Sequence, residues 1–215
     1  MTRRPAAVGS LTGQSMKVAF GMKAHTGWAA LVVLGTPGGK LQVADRCRLE
    51  LIEKTEASWA KQPYHAAEGL NAGAARELVG RGLASARRIA VREIQSAIER
   101  AHQAGHEVAA CALLVADPMP DWTVEEILAV HFRMHKAEGV LFRDALARAA
   151  ESCGLKFLGI HEKQLDWQSE RALGKPLSNL RKSIASLGKS LGPPWGRDQK
   201  DATLAAMIAL QGDME

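Results

Sequence analysis

Two short apolar segments separated by a polar turn, within residues 16–35, constrain the fold of this chain most strongly. The stretch reads MKVAFGMKAHTGWAALVVLG. Lys17 to Met22 alternates loosely and predicts a β-strand, and the continuous apolar run from Trp28 to Leu34 predicts a strand buried in the middle of a sheet. The polar residues from Lys23 to Gly27 end in a glycine, which is typical of a tight connection. We therefore expect an antiparallel hairpin as the first unit of the fold.

The segments that follow predict a third strand and then two strands that alternate with helices. The three later strands are expected over Lys40 to Ile52, Val108 to Val115 and Lys156 to Ile160. Helical periodicity predicts helices over Arg81 to Ala104, Thr123 to Glu151, Asp166 to Gly188 and Arg197 to Leu210. The first of these helices could begin near Ala74 with a break at Gly80 to Gly82, and the third has an expected interruption at Gly174 to Pro176.

This element order predicts an α/β fold. Three consecutive strands pair antiparallel, whereas strands that return through crossover helices pair parallel. We therefore expect a mixed five-stranded sheet, with three antiparallel strands followed by two parallel ones and helices on both faces. Residues 16–212 are expected to form a single domain after a disordered leader, residues 1–15, which lacks the apolar core of a secretory signal.

Composition leaves several classes of partner open and disfavours others. The formal net charge of +5 permits a nucleic-acid partner without requiring one. No apolar run approaches the ~18 residues that would predict a membrane span. The three cysteines are far apart, in apolar contexts and without metal-binding spacing, so we expect buried free thiols in a cytoplasmic protein.

Two short motifs stand at the two ends of this element order. Thr26-Gly27-Trp28-Ala29 follows the first strand, and Asp198 and Asp201 lie three residues apart at the start of the last predicted helix, before small and apolar residues. Together with the element order, these motifs resemble the ribonuclease H-like superfamily and, within it, the RuvC-type Holliday-junction resolvases. The resemblance implies a ribonuclease H-like fold, Mg²⁺ or Mn²⁺ as the cofactor, and phosphodiester cleavage by two metal ions held by carboxylates.

The resemblance also implies which residues form the catalytic and metal-binding site. Asp198 and Asp201 match the acids of the family's last helix, and Asp117 is the acid nearest the end of the fourth strand, where the family usually has Glu. The family's Asp on the first strand aligns with Lys23, or with Met22 if the alignment slips by one residue. Structured DNA or RNA is the implied partner, and a homodimer is a candidate assembly.

Lys23 is a departure from the family pattern that bears directly on catalysis. A charged lysine has no lone pair with which to ligate Mg²⁺. His25 could supply a nitrogen ligand, although imidazole suits Zn²⁺ or Mn²⁺ better than Mg²⁺. Two hypotheses follow: a divergent metal-dependent nuclease with Lys23 or His25 in place of the missing acid, or a non-catalytic binding protein in which Lys23 neutralises the carboxylates. The second is favoured if Asp201 lies beside Lys23.

A histidine pair on the long predicted helix supports a third hypothesis, a different kind of enzyme. His131 and Glu138 fall on an otherwise apolar helical stripe with Ile127 and Phe142, and His135 lies on its flank. Burying such groups is costly unless they are paired. The cluster of His131, His135 and Glu138 is therefore interpreted either as a metal or acid–base site or as a structural hydrogen-bond network between the helix and the sheet.

A basic stretch precedes the last helix. Residues 171–200 contain seven Lys or Arg and one acid, which accounts for the net positive charge of the chain. This stretch is interpreted either as a solvated helical face or as a nucleic-acid surface, with an aromatic ring that either stacks on a base or covers the core. The predicted contact residues are Lys175, Arg181, Lys182, Lys189, Trp195, Arg197 and Lys200. A further polar loop cluster contains Tyr64, His65 and Glu68.

Overall fold

A five-stranded mixed sheet forms the centre of the computed structural model, which describes residues 15–212. The strands lie in the order β3-β2-β1-β4-β5. Strand β2 is antiparallel to β1 and to β3, whereas β4 and β5 run parallel to β1. The predicted sheet is confirmed. Its strands are β1 (Lys17–His25), β2 (Trp28–Gly35), β3 (Gln42–Glu50), β4 (Glu107–Val115) and β5 (Lys156–His161).

Helices cover both faces of this sheet, as predicted. They are α1 (Ala57–Ala60), α2 (Pro63–Ala66), α3 (Ala72–Gln103), α4 (Val124–Leu128), α5 (His131–Ser152), α6 (Leu165–Leu173), α7 (Leu177–Leu191) and α8 (Arg197–Gln211). Short 3-10 turns occupy Pro37–Gly39, Lys54–Glu56 and Glu162–Gln164. Within residues 15–212, none of the helices combines the length and the apolar character needed to cross a membrane. The predicted leader, apart from Ser15, lies outside the described residues.

The first strand is longer than the sequence pattern predicted. Lys23 pairs with Ala30 of β2 and with Leu114 of β4, so it belongs to the strand and not to the turn. The turn consists of Thr26 and Gly27 alone, and the positive φ of 82° at Gly27 explains the glycine. Backbone pairing on both sides holds this polar end of β1 extended, and it places Lys23 in the middle of the sheet.

The helix bounds differ from the prediction at two positions. Helix α3 continues through Gly80 and Gly82, so the expected break there is wrong. Gly82 instead allows a close contact, because a Cβ atom would lie 2.8 Å from Pro63 Cβ. The predicted helix from Thr123 to Glu151 is two helices, because Val130 is extended with φ −138° and ψ 112°. The expected interruption at Gly174 is confirmed, and this residue has a left-handed φ of 60°.

Alternate residues of β1 face different layers of helices. Val18, Phe20, Met22 and Ala24 pack in a hydrophobic cluster with α3 and α5. On the other face, α8 lies so close to β1 that a Cβ atom on Gly21 would come 1.8 Å from the carbonyl oxygen of Ala202. This close packing places the first turns of α8 beside the carboxyl end of β1.

Candidate functional site

Lys23 lies among three carboxylates on the face of the sheet that α8 covers. Its register neighbours Leu114 and Ile160 point to the same face, where both pack against α6–α8. The Lys23 ammonium lies 3.0 Å from Asp201 Oδ2, 3.2 Å from a Glu162 carboxylate oxygen and 3.5 Å from Asp198 Oδ1. We call these four residues the Lys23 cluster.

Asp201 is the most deeply buried acid of the Lys23 cluster, with a relative exposure of 4%. It accepts hydrogen bonds from Lys23 at 3.0 Å and from Arg181 at 2.9 Å. Burial acts to raise the pKa of Asp201, but these two hydrogen bonds hold the pKa below its usual value. For Lys23, burial acts to lower the pKa, and the bonds to Asp201 and Glu162 raise it above its usual value. The pair is therefore ionised at neutral pH.

Glu162 is the member of the cluster that sequence reasoning missed. It follows β5 directly, and its second carboxylate oxygen lies 3.1 Å from Arg143 on α5. Burial acts to raise its pKa, and Lys23 and Arg143 together lower it below the usual value. The available signal was its position, since an acid directly after a parallel strand lies at the edge of the sheet where sites form.

Asp198 and His25 form the outer part of the site. His25 Nε2 lies 3.1 Å from Asp198 Oδ1, and the imidazole stacks on the Trp28 ring with centroids 4.4 Å apart. The buried Nε2 atom has no partner with hydrogen-bond geometry among the residues the structure describes. His25 thus links the carboxylates to the aromatic side chain of the TGWA motif.

Asp117 makes its contacts outside the Lys23 cluster. Its carboxylate pairs with His161 at 2.7 Å and with Lys163 at 3.2 Å, and its side chain is 60% exposed. Hydrogen bonds from His161 and Lys163 lower the pKa of Asp117. The acid from this edge of the sheet that contacts Lys23 is instead Glu162.

Charges in the Lys23 cluster are compensated by the chain itself. The three carboxylates contact four cationic side chains, which are Lys23 at 3.0–3.5 Å, Arg143 at 3.1 Å, Arg181 at 2.9 Å and the exposed Arg197 at 3.5 Å. Two-metal sites need ions about 3.5–4 Å apart between carboxylates that are free to ligate them. The cluster does not fit a pair of Mg²⁺ or Mn²⁺ ions, because the Lys23 ammonium occupies the space between its acids.

Two of the predicted phosphate-binding residues have structural contacts instead. Arg181 donates to Asp201 and also pairs with Asp166 at 2.5 Å. Trp195 is half-buried, donates from Nε1 to the carbonyl oxygen of Ile184 at 3.0 Å, and packs with the core beneath α8. Its ring covers the core, which was the alternative interpretation.

The other predicted phosphate-binding residues differ in exposure. Lys200 is half-buried, whereas the side chain of Arg197 is 86% exposed and lies 3.5 Å from Asp201 Oδ2. Lys175 before α7 and Lys182 and Lys189 on that helix are exposed. These four exposed side chains remain available to a ligand.

A cleft beside the Lys23 cluster was not identified from the sequence. Trp28 is stacked between His25 and the Arg48 guanidinium, which lies 4.0 Å from its ring centroid. Cavities of about 670 and 430 Å³ adjoin this stack, and both are lined by Trp28 and Arg48. We call the two cavities the Trp28 cleft. Its other basic lining residues are Arg46, Lys54, Lys61 and Arg92.

A second polar cluster lies where α2 packs on α5. The imidazoles of His65, His131 and His135 each present a nitrogen within 4.8 Å of the others. Glu138 is buried, with an exposure of 5%, and accepts a 2.7 Å hydrogen bond from His65 Nδ1. We call these four residues the histidine cluster. Of the polar loop residues, His65 belongs to this cluster. The pKa of Tyr64 is raised, mainly because the side chain is buried and to a lesser extent because of the charge of Glu138.

Comparison with known proteins yields structural similarity only. No protein-family model matches the sequence, and no curated protein matches it. Thermus thermophilus RuvC superposes with a TM-score of 0.49 and 13% identity over 90% of this chain and 93% of that one. The same protein in complex with a Holliday junction substrate gives a TM-score of 0.47 and 16% identity over the same shares. The chain has a ribonuclease H-like fold. This assignment rests on its own strand order and on the helices on both faces of the sheet.

Proposed function

We propose that this protein binds structured nucleic acid without cleaving it, on a ribonuclease H-like fold whose carboxylates are neutralised by Lys23. The observation that carries the proposal is the position of the Lys23 ammonium, 3.0–3.5 Å from Asp201, Glu162 and Asp198. A lysine in this position replaces the charge that metal ions would supply but offers no Lewis acid and no bound water.

The surface around the cluster supports binding of a polyanion. The Trp28 cleft presents an aromatic side chain and a guanidinium, and its rim carries the exposed Lys54 and Lys61. Because His25 and Arg48 already cover the Trp28 ring, the cleft contributes to binding through its exposed lysines, which neutralise phosphates. Lys182 and Lys189 on α7 are exposed and provide two further positive charges for phosphate contacts. The TGWA and Asp198/Asp201 motifs, which resemble those of RuvC-type resolvases, support branched DNA as the class of ligand to try first.

Binding and cleavage are tested on one set of substrates. Four-way DNA junctions, RNA/DNA hybrids and linear duplexes are incubated with Mg²⁺ or Mn²⁺ and, separately, with EDTA. We expect no cleavage under either condition, and we expect the protein to retain the substrate in EDTA. The logarithm of the binding constant should fall linearly with the logarithm of the salt concentration. Metal-dependent cleavage that disappears in Asp201→Asn would instead establish the nuclease hypothesis. If the protein neither cleaves nor retains these substrates, both the binding proposal and the nuclease hypothesis are refuted. The histidine cluster would then be the candidate site.

Charge reversals locate the binding surface. Lys182→Glu combined with Lys189→Glu should weaken binding and reduce the salt slope by about two, roughly one unit for each lost phosphate contact. Lys40→Glu, an equally exposed lysine at the opposite end of β2 from Trp28, is the matched control and should change affinity much less. Equal losses in the control and the test variant would show non-specific attraction and contradict the assigned surface.

A further inference from the structure

The histidine cluster brings three nitrogen donors to one point from two elements. His131 is the first residue of α5 and His135 lies one turn later, so both side chains project from the same side of the helix. His65 is carried by α2, which packs against α5. One ring nitrogen from each lies within 4.8 Å of the others, and the Nε2 atoms of His131 and His135 are 3.0 Å apart.

The 3.0 Å separation of the His131 and His135 nitrogens is close to that of two ligands of one metal ion. Zinc–nitrogen bonds of about 2.0–2.1 Å in tetrahedral geometry place two ligand nitrogens roughly 3.3 Å apart. The His131 and His135 nitrogens need to separate by only a few tenths of an ångström to accept an ion between them. Both side chains are exposed, so an ion reaches them from solvent.

Glu138 supplies a feature that a chance group of surface histidines lacks. Its carboxylate accepts from His65 Nδ1 at 2.7 Å, from the His65 backbone N–H at 3.1 Å and from Gln62 at 3.3 Å. Donation from Nδ1 leaves the lone pair on Nε2 of a neutral imidazole. Metal-binding histidines commonly donate their second ring N–H to a carboxylate, which fixes the tautomer and ring orientation and raises the basicity of the ligand.

We propose that His65, His131 and His135 bind one divalent transition-metal ion of the zinc class, with Glu138 as a positioning residue for His65. Three imidazoles favour Zn²⁺ over the oxygen-seeking Mg²⁺. Three protein ligands leave a fourth coordination position for water or an anionic ligand, which is the pattern of catalytic zinc sites. The site lies on the α5 side of the sheet, opposite the Lys23 cluster, and the proposal does not depend on nucleic-acid binding.

Metal titration of the full-length, untagged protein tests the proposal. Protein stripped with a chelator is titrated with Zn²⁺ by calorimetry and with Co²⁺ by absorption spectroscopy, which reports coordination geometry. We expect one ion per chain and a spectrum typical of four-coordinate cobalt. His135→Ala, which removes an exposed ligand, should weaken Zn²⁺ binding at least tenfold and change the Co²⁺ spectrum. Glu138→Gln should weaken it 10- to 100-fold while circular dichroism remains that of the folded protein.

Two control variants make the result specific. His102→Ala removes an exposed histidine at the end of α3, and Asp198→Asn removes an acid of the Lys23 cluster. Neither should change Zn²⁺ affinity or stoichiometry. The proposal is overturned if wild-type protein binds no Zn²⁺, if His135→Ala binds it as tightly as wild type, or if Asp198→Asn abolishes binding.

Discussion

The two polar clusters of this protein lie on opposite faces of one sheet and differ in the balance of their acidic and basic groups. In the Lys23 cluster, acids surround a buried lysine, and Arg143 and Arg181 complete the compensation. In the histidine cluster, three bases converge and the one acid, Glu138, pairs with only one of them, His65. The first arrangement has its cation built into the chain, whereas in the second three imidazole nitrogens lie within 4.8 Å of one another. An acidic motif therefore does not by itself identify a metal site.

The largest expected effect comes from removing the built-in cation. Lys23→Met should lower the free energy of unfolding by about 3–5 kcal/mol, because three carboxylates would lose their shared cation and the buried Asp201 would keep Arg181 as its one hydrogen-bond donor within residues 15–212. Urea denaturation of the variant, with the exposed Lys182→Met as a control, measures this loss. Adding Asp201→Asn to Lys23→Met should recover part of it. A change in stability as small as that of the control would show that the Lys23 cluster is not a charge-compensated unit.

The next effect separates the two faces of the sheet. Gly21→Ala should cost roughly 3 kcal/mol of stability, at the upper end of overpacking effects, because the added methyl group collides with the backbone of α8. Gly80→Ala is the matched control: it has open space on α3 and should stabilise the protein by about 0.5–1 kcal/mol. Thermal unfolding measures both changes. Folded Gly21→Ala should bind Zn²⁺ with wild-type affinity, because the histidine cluster lies on the other face of the sheet.

The pH dependence of stability reports on the carboxylates of the Lys23 cluster. The pKa values of Asp201 and Glu162 are lowered in the folded state, so the unfolded chain binds more protons in acid. The stability that these groups contribute is complete above about pH 4.5 and is lost as the pH falls through their folded pKa values. Urea unfolding from about pH 6 to about pH 3 should show this loss, with a smaller slope in Lys23→Met than in wild type. An equal slope in both proteins would assign the acid sensitivity to carboxylates elsewhere.

Much of the fold could be predicted from the sequence, because apolar periodicity reports which face of an element is buried. The five strands, their pairing and the helices on both faces follow from such patterns. The errors arose where tertiary contacts outweighed local preference. Backbone pairing with Ala30 and Leu114 holds Lys23 in a strand, and packing against Pro63 keeps Gly82 inside a helix.

The candidate site could be predicted only in part. Lys23, Asp198 and Asp201 were selected from short motifs, and the structure brings them together. Glu162 was missed because a single acid after a strand is a common pattern that acquires meaning only when its neighbours in space are known. Likewise, His65 and His135 are separated by 70 positions along the chain, and no spacing rule connects them.

The order of strands and helices and the two acids on the last helix could be read from the sequence. The strand position of Lys23 and the contacts of all these residues depend on the packing of distant elements. The close approach of α8 to Gly21 brings Asp201 within 3.0 Å of Lys23, and the packing of α2 on α5 joins His65 to His131 and His135. Periodicity records burial along one element, whereas a charge cluster or a metal site depends on distances between elements far apart in the chain.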